Sequence, residues 1–331
     1  MPEANLIEDV VIKDVVALAC RAPSVHNSQP WKWVVDGSVV HLFADRERLV
    51  PAIDSTGREM ILSCGAVLDH FCLAMAAIGW DTTVARFPDG MDLDRVAAVE
   101  LSPSSGVDAA LSRRADAIHR RRTDRLPLAA PRGWAALEST LRGFVDDEVV
   151  TLAVVADGDR PQLAEASRLT ESIRHQDPTY LSELRWWTSP FTIDEGVPAS
   201  ARISAAEADR VDIAREFPTT GYGERRAQVS ADHSKIIVLS TSSDVVDSRP
   251  AVLRCGEALS TVLLECTVAG LATCALTHLT EVEPSRRLIG ELTGQPGLPQ
   301  VLIRVGQTPV AGEHPRPTPR RPVAEVLHFR T

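Results

Sequence analysis

Residues 58–82 and 249–273 align without a gap at a constant offset of 191 positions. Identities fall at Arg58/Arg249, Leu62/Leu253, Cys64/Cys255, Gly65/Gly256, Leu68/Leu259, Leu73/Leu264, Gly79/Gly270 and Thr82/Thr273. Both stretches are apolar almost all round and both are closed by a glycine, the pattern of two equivalent buried helices with C-terminal glycine caps. A strand-like stretch follows each, at 83–87 and 273–276, so the similarity extends to helix-plus-strand units. Two related halves fit this better than a solenoid, which needs short periods and several copies. Convergence between two Ala/Leu-rich helices is the competing reading.

The halves differ in their chemistry. The first carries Pro23-Ser24-Val25-His26-Asn27-Ser28-Gln29-Pro30-Trp31 between a helical periodic segment, Val10 to Cys20, and an alternating one, Trp31 to Phe43. The prolines restrict both ends and push Ala22 and Gln29 toward extended backbone. The polar side chains between them are then able to converge on a ligand, although Ser24 and Asn27 also suit plain turns. The second half carries Arg120-Arg121-Arg122-Thr123-Asp124-Arg125 after a helical stretch, Ala109 to His119. Guanidinium forks match phosphate oxygens bidentately and a threonine hydroxyl adds a donor, so a phosphate monoester is a natural guest. The alternative is a solvated run pairing with Asp116 and Asp124. A second basic element, Arg320-Arg321, lies between Pro319 and Pro322, beyond a strand-like stretch, Val301 to Val305. It reads either as reaching the same phosphate or as an exposed tail.

Composition narrows the class. With 45 acidic against 35 basic residues and a formal charge of -10, the chain lacks the basic face that nucleic-acid binding needs. Six cysteines show no CxxC pair and read as reduced, buried thiols. Met1 to Asp9 lacks a basic signal-peptide region and no apolar run approaches a membrane span. The expectation is a soluble, cytoplasmic protein with no metal and no membrane or nucleic-acid partner.

Taken together these residues resemble the nitroreductase family of FMN-dependent oxidoreductases. Its P-S-x-x-N-x-Q-P-W loop is matched by Pro23, Ser24, Asn27, Gln29, Pro30 and Trp31. Its R-x-S-x-R phosphate motif is matched by Arg121, Thr123 and Arg125, with threonine for serine. Arg320 and Arg321 match its C-terminal basic element more loosely. The chain is most similar to the Acg-type branch, which shares R-A-P-S-x-H-N-x-Q-P-W and R-R-R-T-D-R in this order over nearly the whole length. Ordinary members place the phosphate motif first and build two FMN sites per homodimer, each from both subunits. The reversed order and the duplication imply a fused dimer with one composite site, in a monomer that mimics a homodimer.

The resemblance implies an α+β sandwich with mixed, mainly antiparallel sheets and flanking helices, present twice in pseudo-symmetric halves. The halves are placed at 1–108 and 109–331, with Ser102 to Gly106 as a candidate boundary. FMN is implied as cofactor, with NAD(P)H as co-substrate and a small molecule as acceptor. Its expected contacts are Pro23, Ser24, His26, Asn27, Gln29, Arg121, Arg122, Thr123, Arg125, Thr277, His278, Arg320 and Arg321. Thr277 and His278 fall where the family's backbone approaches the flavin N5; His278 departs from the family's Glu-Gly, and a satisfied core histidine is the bland alternative. No residue is assigned a catalytic role.

No G-x-G-x-x-G follows a strand, so no Rossmann nicotinamide site is expected. A hydrolase on Ser24 and His26 lacks the G-x-S-x-G elbow. Part of the long stretch between Arg125 and Cys255, about residues 180–232, is expected as a lid, from Trp186-Trp187 and the flanking Gly221 and Gly223. A pair of ordinary core indoles is its alternative. A sealed lid would leave a flavin-binding or flavin-sequestering protein without turnover, the main rival to an oxidoreductase. A cofactor-free structural protein ranks last.

Overall fold

The computed structural model describes residues 7–90, 92–145, 147–191, 194–242, 248–309 and 316–330. The chain runs α1 (Asp9–Ala19), β1 (Trp31–Asp36), β2 (Val39–Ala44), α2 (Arg58–Ala77), β3 (Trp80–Arg86), β4 (Arg95–Pro103), α3 (Ala109–Arg120) and α4 (Trp134–Val145). It continues through β5 (Val150–Val154), α5 (Arg160–Arg174), α6 (Pro178–Trp187), α7 (Ala205–Ala208), β6 (Lys235–Thr241) and α8 (Arg249–Val268). The last elements are β7 (Ala272–Leu276), α9 (Glu283–Thr293), β8 (Leu298–Gly306), α10 (Val323–Val326) and β9 (Leu327–Phe329).

The repeated segments are the two longest helices. α2 and α8 each run twenty residues. Gly79 and Gly270, just beyond them, take left-handed φ of 83° and 75° and donate backbone N–H groups to Ala76 and Thr267 at 3.2 and 3.1 Å. The caps are therefore glycine because the backbone turns where a Cβ would be strained. The helices cross at Gly65 and Gly256. A Cβ on Gly65 would lie 2.8 Å from the Gly256 Cα, and one on Gly256 would lie 2.9 Å from the Gly65 Cα. Each would also strike a carbonyl of the other helix, at Leu253 and Leu62 respectively. These partners are themselves equivalent positions of the repeat, so the crossing is reciprocal and the two segments are related by a pseudo-two-fold.

The sheets repeat the same relation. One has the order β3-β4-β2-β1-β9 and the other β7-β8-β6-β5. Matched along the chain, the second reproduces the first four strands of the first. Every pairing is antiparallel except β1 with β9, where Trp33 faces Leu327 in parallel register. The stretch 31–43, read as one alternating segment, is a hairpin rather than one strand. Gly37 turns it with φ 60°, leaving Trp31 opposite Ala44. β9 lies in the first sheet although it follows every strand of the second, so the tail crosses back.

The two sheets share one core. Trp31, Trp33, Leu42 and Val99 from one sheet, and Leu152, Ile237, Leu239 and Ile303 from the other, pack in a single cluster with α2 and α8. Contrary to expectation, one run, α2, is long and apolar enough to cross a membrane, but 78% of its most apolar stretch is buried. The six cysteines are unpaired, all but Cys72 buried.

Candidate functional site

A cavity opens beside α2 and α8. Pro23, Ser24, His26, Glu59, Leu62 and Ser63 line it from the earlier part of the chain, and Thr123, Arg125, Arg215, Phe217, Leu259, Thr277 and Arg304 from the later part. Its walls alternate apolar faces with a few directed polar groups, the usual make-up of a small-molecule site.

The loop entering from α1 is strained. His26, Asn27 and Gln29 all take left-handed φ, at 48°, 59° and 50°. Each such residue costs about 1–3 kcal/mol. Gln29 is thus not extended before Pro30, as sequence suggested, because its own side chain is in demand. Its Nε2 donates to the Asn27 carbonyl at 3.2 Å and to the Asp194 carbonyl at 2.8 Å, and its Oε1 accepts from the Arg321 backbone at 2.9 Å. Asn27 Nδ2 donates to the Pro319 carbonyl at 3.1 Å. Both carboxamides therefore fasten the tail segment and neither is among the lining residues. Ser24 does line the cavity, while its Oγ accepts from the Gln29 backbone at 3.0 Å. The turn-closing reading is seen, at a position that also faces the cavity. His26 is buried in the cavity wall, 5.4 Å from the Phe217 ring, with neither ring nitrogen partnered. Burial, reinforced by Arg215, holds it neutral.

The arginine motif bridges Thr123 to Thr273; Thr123 and Arg125 line this cavity, whereas Arg121, Arg122 and Asp124 line a separate, smaller one beside Gly270 and Leu271. Asp124 meets Arg226 at 2.7 Å, fully buried. Behind it Asp232 receives Arg304 at 2.5 Å and the Leu128 backbone at 2.8 Å. These two buried pairs hold the segment in place, and Asp124 is spent on Arg226 rather than on its own run.

Arg121 and Arg320, from opposite ends of the sequence, both donate to the Arg21 carbonyl, at 3.1 and 2.9 Å. Arg320 also donates to Cys20 and Ala22. Burial and then the neighbouring arginines push Arg121 down to about 9 and Arg320 to about 10. The Nε atoms of Arg21 and Arg121 are buried without partners. Among the described residues Arg21, Arg121, Arg122 and Arg320 have no carboxylate partner. A buried cation cluster of this kind calls for an anion.

Arg125 lies with its guanidinium 4.9 Å from the Phe217 ring centroid. Arg122 is half-buried and donates to the Arg121 carbonyl. Arg321 turns away from the cluster toward Asp45, at 3.7 Å, and Glu325, at 3.4 Å. Thr277 faces the cavity, but the His278 side chain does not: it is buried with Nε2 2.8 Å from Ser167 Oγ, and burial drops it to about 3. It is a core histidine with Nε2 met by Ser167 and, among the described residues, no hydrogen-bond partner for Nδ1.

The expected lid stretch is divided. Ile203, Arg215 and Phe217 line the cavity. Trp186 is exposed, and Trp187 packs with Val50, Ile53 and Tyr180 instead. The indole pair therefore forms no part of the cavity wall.

No protein-family model matches the chain. The acg protein of Mycobacterium tuberculosis, assigned by name to the NAD(P)H nitroreductases, is 51% identical over 330 residues, covering all of this chain and 98% of that one. The chain belongs to the nitroreductase family. A second M. tuberculosis protein with the same family name is 36% identical over 327 residues, covering 96% of this chain and 91% of its own. A crystal structure described as a nitroreductase of Anabaena variabilis covers 89% of this chain and 73% of its own at 9% identity and TM-score 0.49.

In this nitroreductase the sequence reading missed Arg21, Glu59, Arg215 and Glu281. Arg215 pairs with Glu281 in a buried contact and donates to Thr277 Oγ1 at 3.2 Å. Thr277 in turn donates to Glu59 Oε2 at 3.0 Å. Burial, added to by Glu281, pushes Glu59 well above the carboxylate range. Burial would do the same to Glu281, but Arg215 and Arg174 outweigh it and keep it ionised. The two carboxyls are thus pushed in opposite directions, Glu59 up, against the pull of Arg58 at 3.1 Å, and Glu281 down. Arg21, two residues before the Pro23 loop, was the one with a signal in sequence.

Proposed function

We propose that this nitroreductase binds FMN in the cavity between its halves, accepts hydride from NADH or NADPH, and passes electrons to a small-molecule acceptor. The buried arginine cluster without a counter-charge carries the reading; it stands outside the cavity wall, joined to it through the chain, Arg21 leading to Pro23 and Arg121 to Thr123. It fits a phosphate monoester, since both orphaned Nε atoms are donors and Thr123 adds a hydroxyl. Leu62, Leu259, Val301 and Leu276 offer the apolar faces that a flat ring system needs.

When bound, the flavin supplies the two-electron chemistry. Arg121, Arg320 and Thr123 would hold its phosphate. Asn27 and Gln29 act one step back, clamping the 319–321 segment so that Arg320 stays in the cluster. Arg125 and Arg215 keep positive charge along the wall, favouring an anionic reduced ring. Glu59, its carboxyl pushed up on the same wall, would hold a proton within the cavity. The halves at 1–108 and 109–331 would each give part of the site, and Ile203 to Phe217 would be the working portion of the 180–232 lid.

The Phe217 ring, set between His26 and Arg125, favours a second reading in which the wall stays shut and the flavin is sequestered without turnover. Anaerobic mixing of the FMN-loaded protein with NADH or NADPH separates the two. Bleaching of the 450 nm region (roughly, the oxidised flavin band) supports the oxidoreductase; a flavin that stays yellow with both nucleotides leaves only sequestration.

A further inference from the structure

Away from the cavity's interior, the outer end of α5 gathers a second set of ligating groups. Glu171 lies in the last turn of α5 and His175 caps that helix four residues later, on the same side. Glu216 comes from the facing segment, between the cavity residues Arg215 and Phe217. The ligating atoms of the three lie within 4.8 Å of one another.

Two details go beyond a chance cluster. Glu171 is 2% exposed, and neither of its carboxylate oxygens makes a hydrogen bond of ordinary geometry. A buried carboxylate left this way is costly unless a cation meets it. His175 is set up to complement it. Its Nδ1 lies 2.8 Å from the Glu171 carbonyl oxygen, which only accepts, so Nδ1 carries the proton. Nε2 then faces outward as the ligating nitrogen, 3.5 Å from Glu216 Oε2. Such a second hydrogen bond is what fixes the tautomer of metal-bound histidines.

We propose that Glu171, His175 and Glu216 form a divalent transition-metal site, with zinc as the ion their chemistry favours. One imidazole and two carboxylates suit zinc, which accepts three protein ligands and a water. His175 and Glu216 have side chains 45% and 62% exposed, giving the ion a path from solvent. Their rotation closes the present spacing to the roughly 3.4 Å between ligands of a tetrahedral ion. The site's effect is mechanical: an ion bound there ties Glu216 to α5, which already holds the neighbouring Ala214 carbonyl through Ser167 Oγ at 3.4 Å. It would thereby fix the Arg215 to Phe217 stretch of the cavity wall. The ion's binding does not depend on the flavin reading.

The test is calorimetric titration of zinc chloride into the chelator-treated full chain without flavin. Binding of about one ion per chain is expected, weakened at least about tenfold in each of His175→Ala and Glu216→Gln. Both residues are exposed enough that the variants should fold, which their melting curves would confirm. Cobalt(II) in place of zinc should give visible d–d bands without the near-ultraviolet charge-transfer band of thiolate. Hydrogen exchange of amides 214–217 should slow on adding zinc to the parent chain and stay unchanged in His175→Ala. No zinc uptake, unaltered affinity in both variants, or a thiolate band would each overturn the site; an exchange rate indifferent to bound zinc would overturn the clamp.

Discussion

Arg121→Met should have opposite effects on the stability of the empty protein and on its affinity for phosphate. In the empty protein the guanidinium is 5% exposed and surrounded by Arg21, Arg122 and Arg320. Burial and those charges bring its pKa from above 12 to about 9, a difference worth roughly 4–5 kcal/mol at about 1.36 kcal/mol per pH unit. That figure is an upper bound. Methionine removes the penalty and loses the hydrogen bond to the Arg21 carbonyl, worth about 1 kcal/mol, which Arg320 still satisfies. The empty variant should therefore be more stable than the parent by up to roughly 3 kcal/mol, reading these two terms together. The sign with pH follows from the same shift. The unfolded arginine binds its proton more tightly than the folded one, so folding is opposed fully below pH 9. The opposition fades as pH rises through 9 toward the unfolded value. The advantage of the variant should shrink along the same path. With FMN or inorganic phosphate the parent gains more than the variant and the gap narrows, because the variant lacks a charge-assisted hydrogen bond worth about 1.5–3 kcal/mol, or roughly tenfold to a hundredfold in affinity. Thermal unfolding of both chains, with and without phosphate, measures all of this. An empty Arg121→Met that melts below the parent, or a phosphate-induced rise that is the same in both, would refute the reasoning.

Three further outcomes are expected. Asn27→Ala should release the Pro319 carbonyl and loosen the 318–321 segment, so FMN dissociates faster although Arg121 is intact; an unchanged flavin off-rate would return the loop to a turn. Gly65→Ala should force α2 and α8 apart and cost roughly 2–4 kcal/mol by denaturant unfolding, as should Gly256→Ala, since the two contacts are reciprocal; a neutral result at either would show that the crossing relaxes freely. Asp232→Ala should cost roughly 3–5 kcal/mol by stranding Arg304. Burial alone would raise Asp232, but Arg304 and its hydrogen bonds bring it to about 2. Its contribution is thus complete above the unfolded value near 4 and is lost as pH falls toward 2, so the gap between the variant and the parent should narrow in acid unfolding.

What was legible in sequence was whatever is written as a local repeat or a dense motif. The duplicated helices and their glycine caps follow from residue types at fixed spacing, while the approach of Arg320 to Arg121 is one of two readings that sequence leaves open for the 319–322 element. The parts that escaped depend on burial. Glu59 looks like any acidic residue in a helix's first turn until the fold removes it from water beside Glu281. Gln29 reads as a flavin ligand, yet the tail segment reaches its amide first. Trp186 and Trp187 form a conspicuous pair in sequence, but a helix points neighbouring residues about 100° apart, so one faces solvent and the other α6's own packing against residues 50–53. No periodicity in the chain announces that β9 returns to the first sheet.

That returning strand sets an order of events during synthesis. Leu327 emerges 224 residues after Pro103, a wait of roughly 10–50 s at about 5–20 residues per second. Through that interval β1 has no neighbour on one side, and the open row of backbone groups from Trp33 to Val35 is the sort of edge that recruits other chains. Arg320 arrives in the same last segment as β9, so the nascent first half has its strained loop but not the cation that completes the anion cluster. The edge and the proposed anion site are completed together by the 318–329 segment, so on that proposal cofactor capture waits for its synthesis.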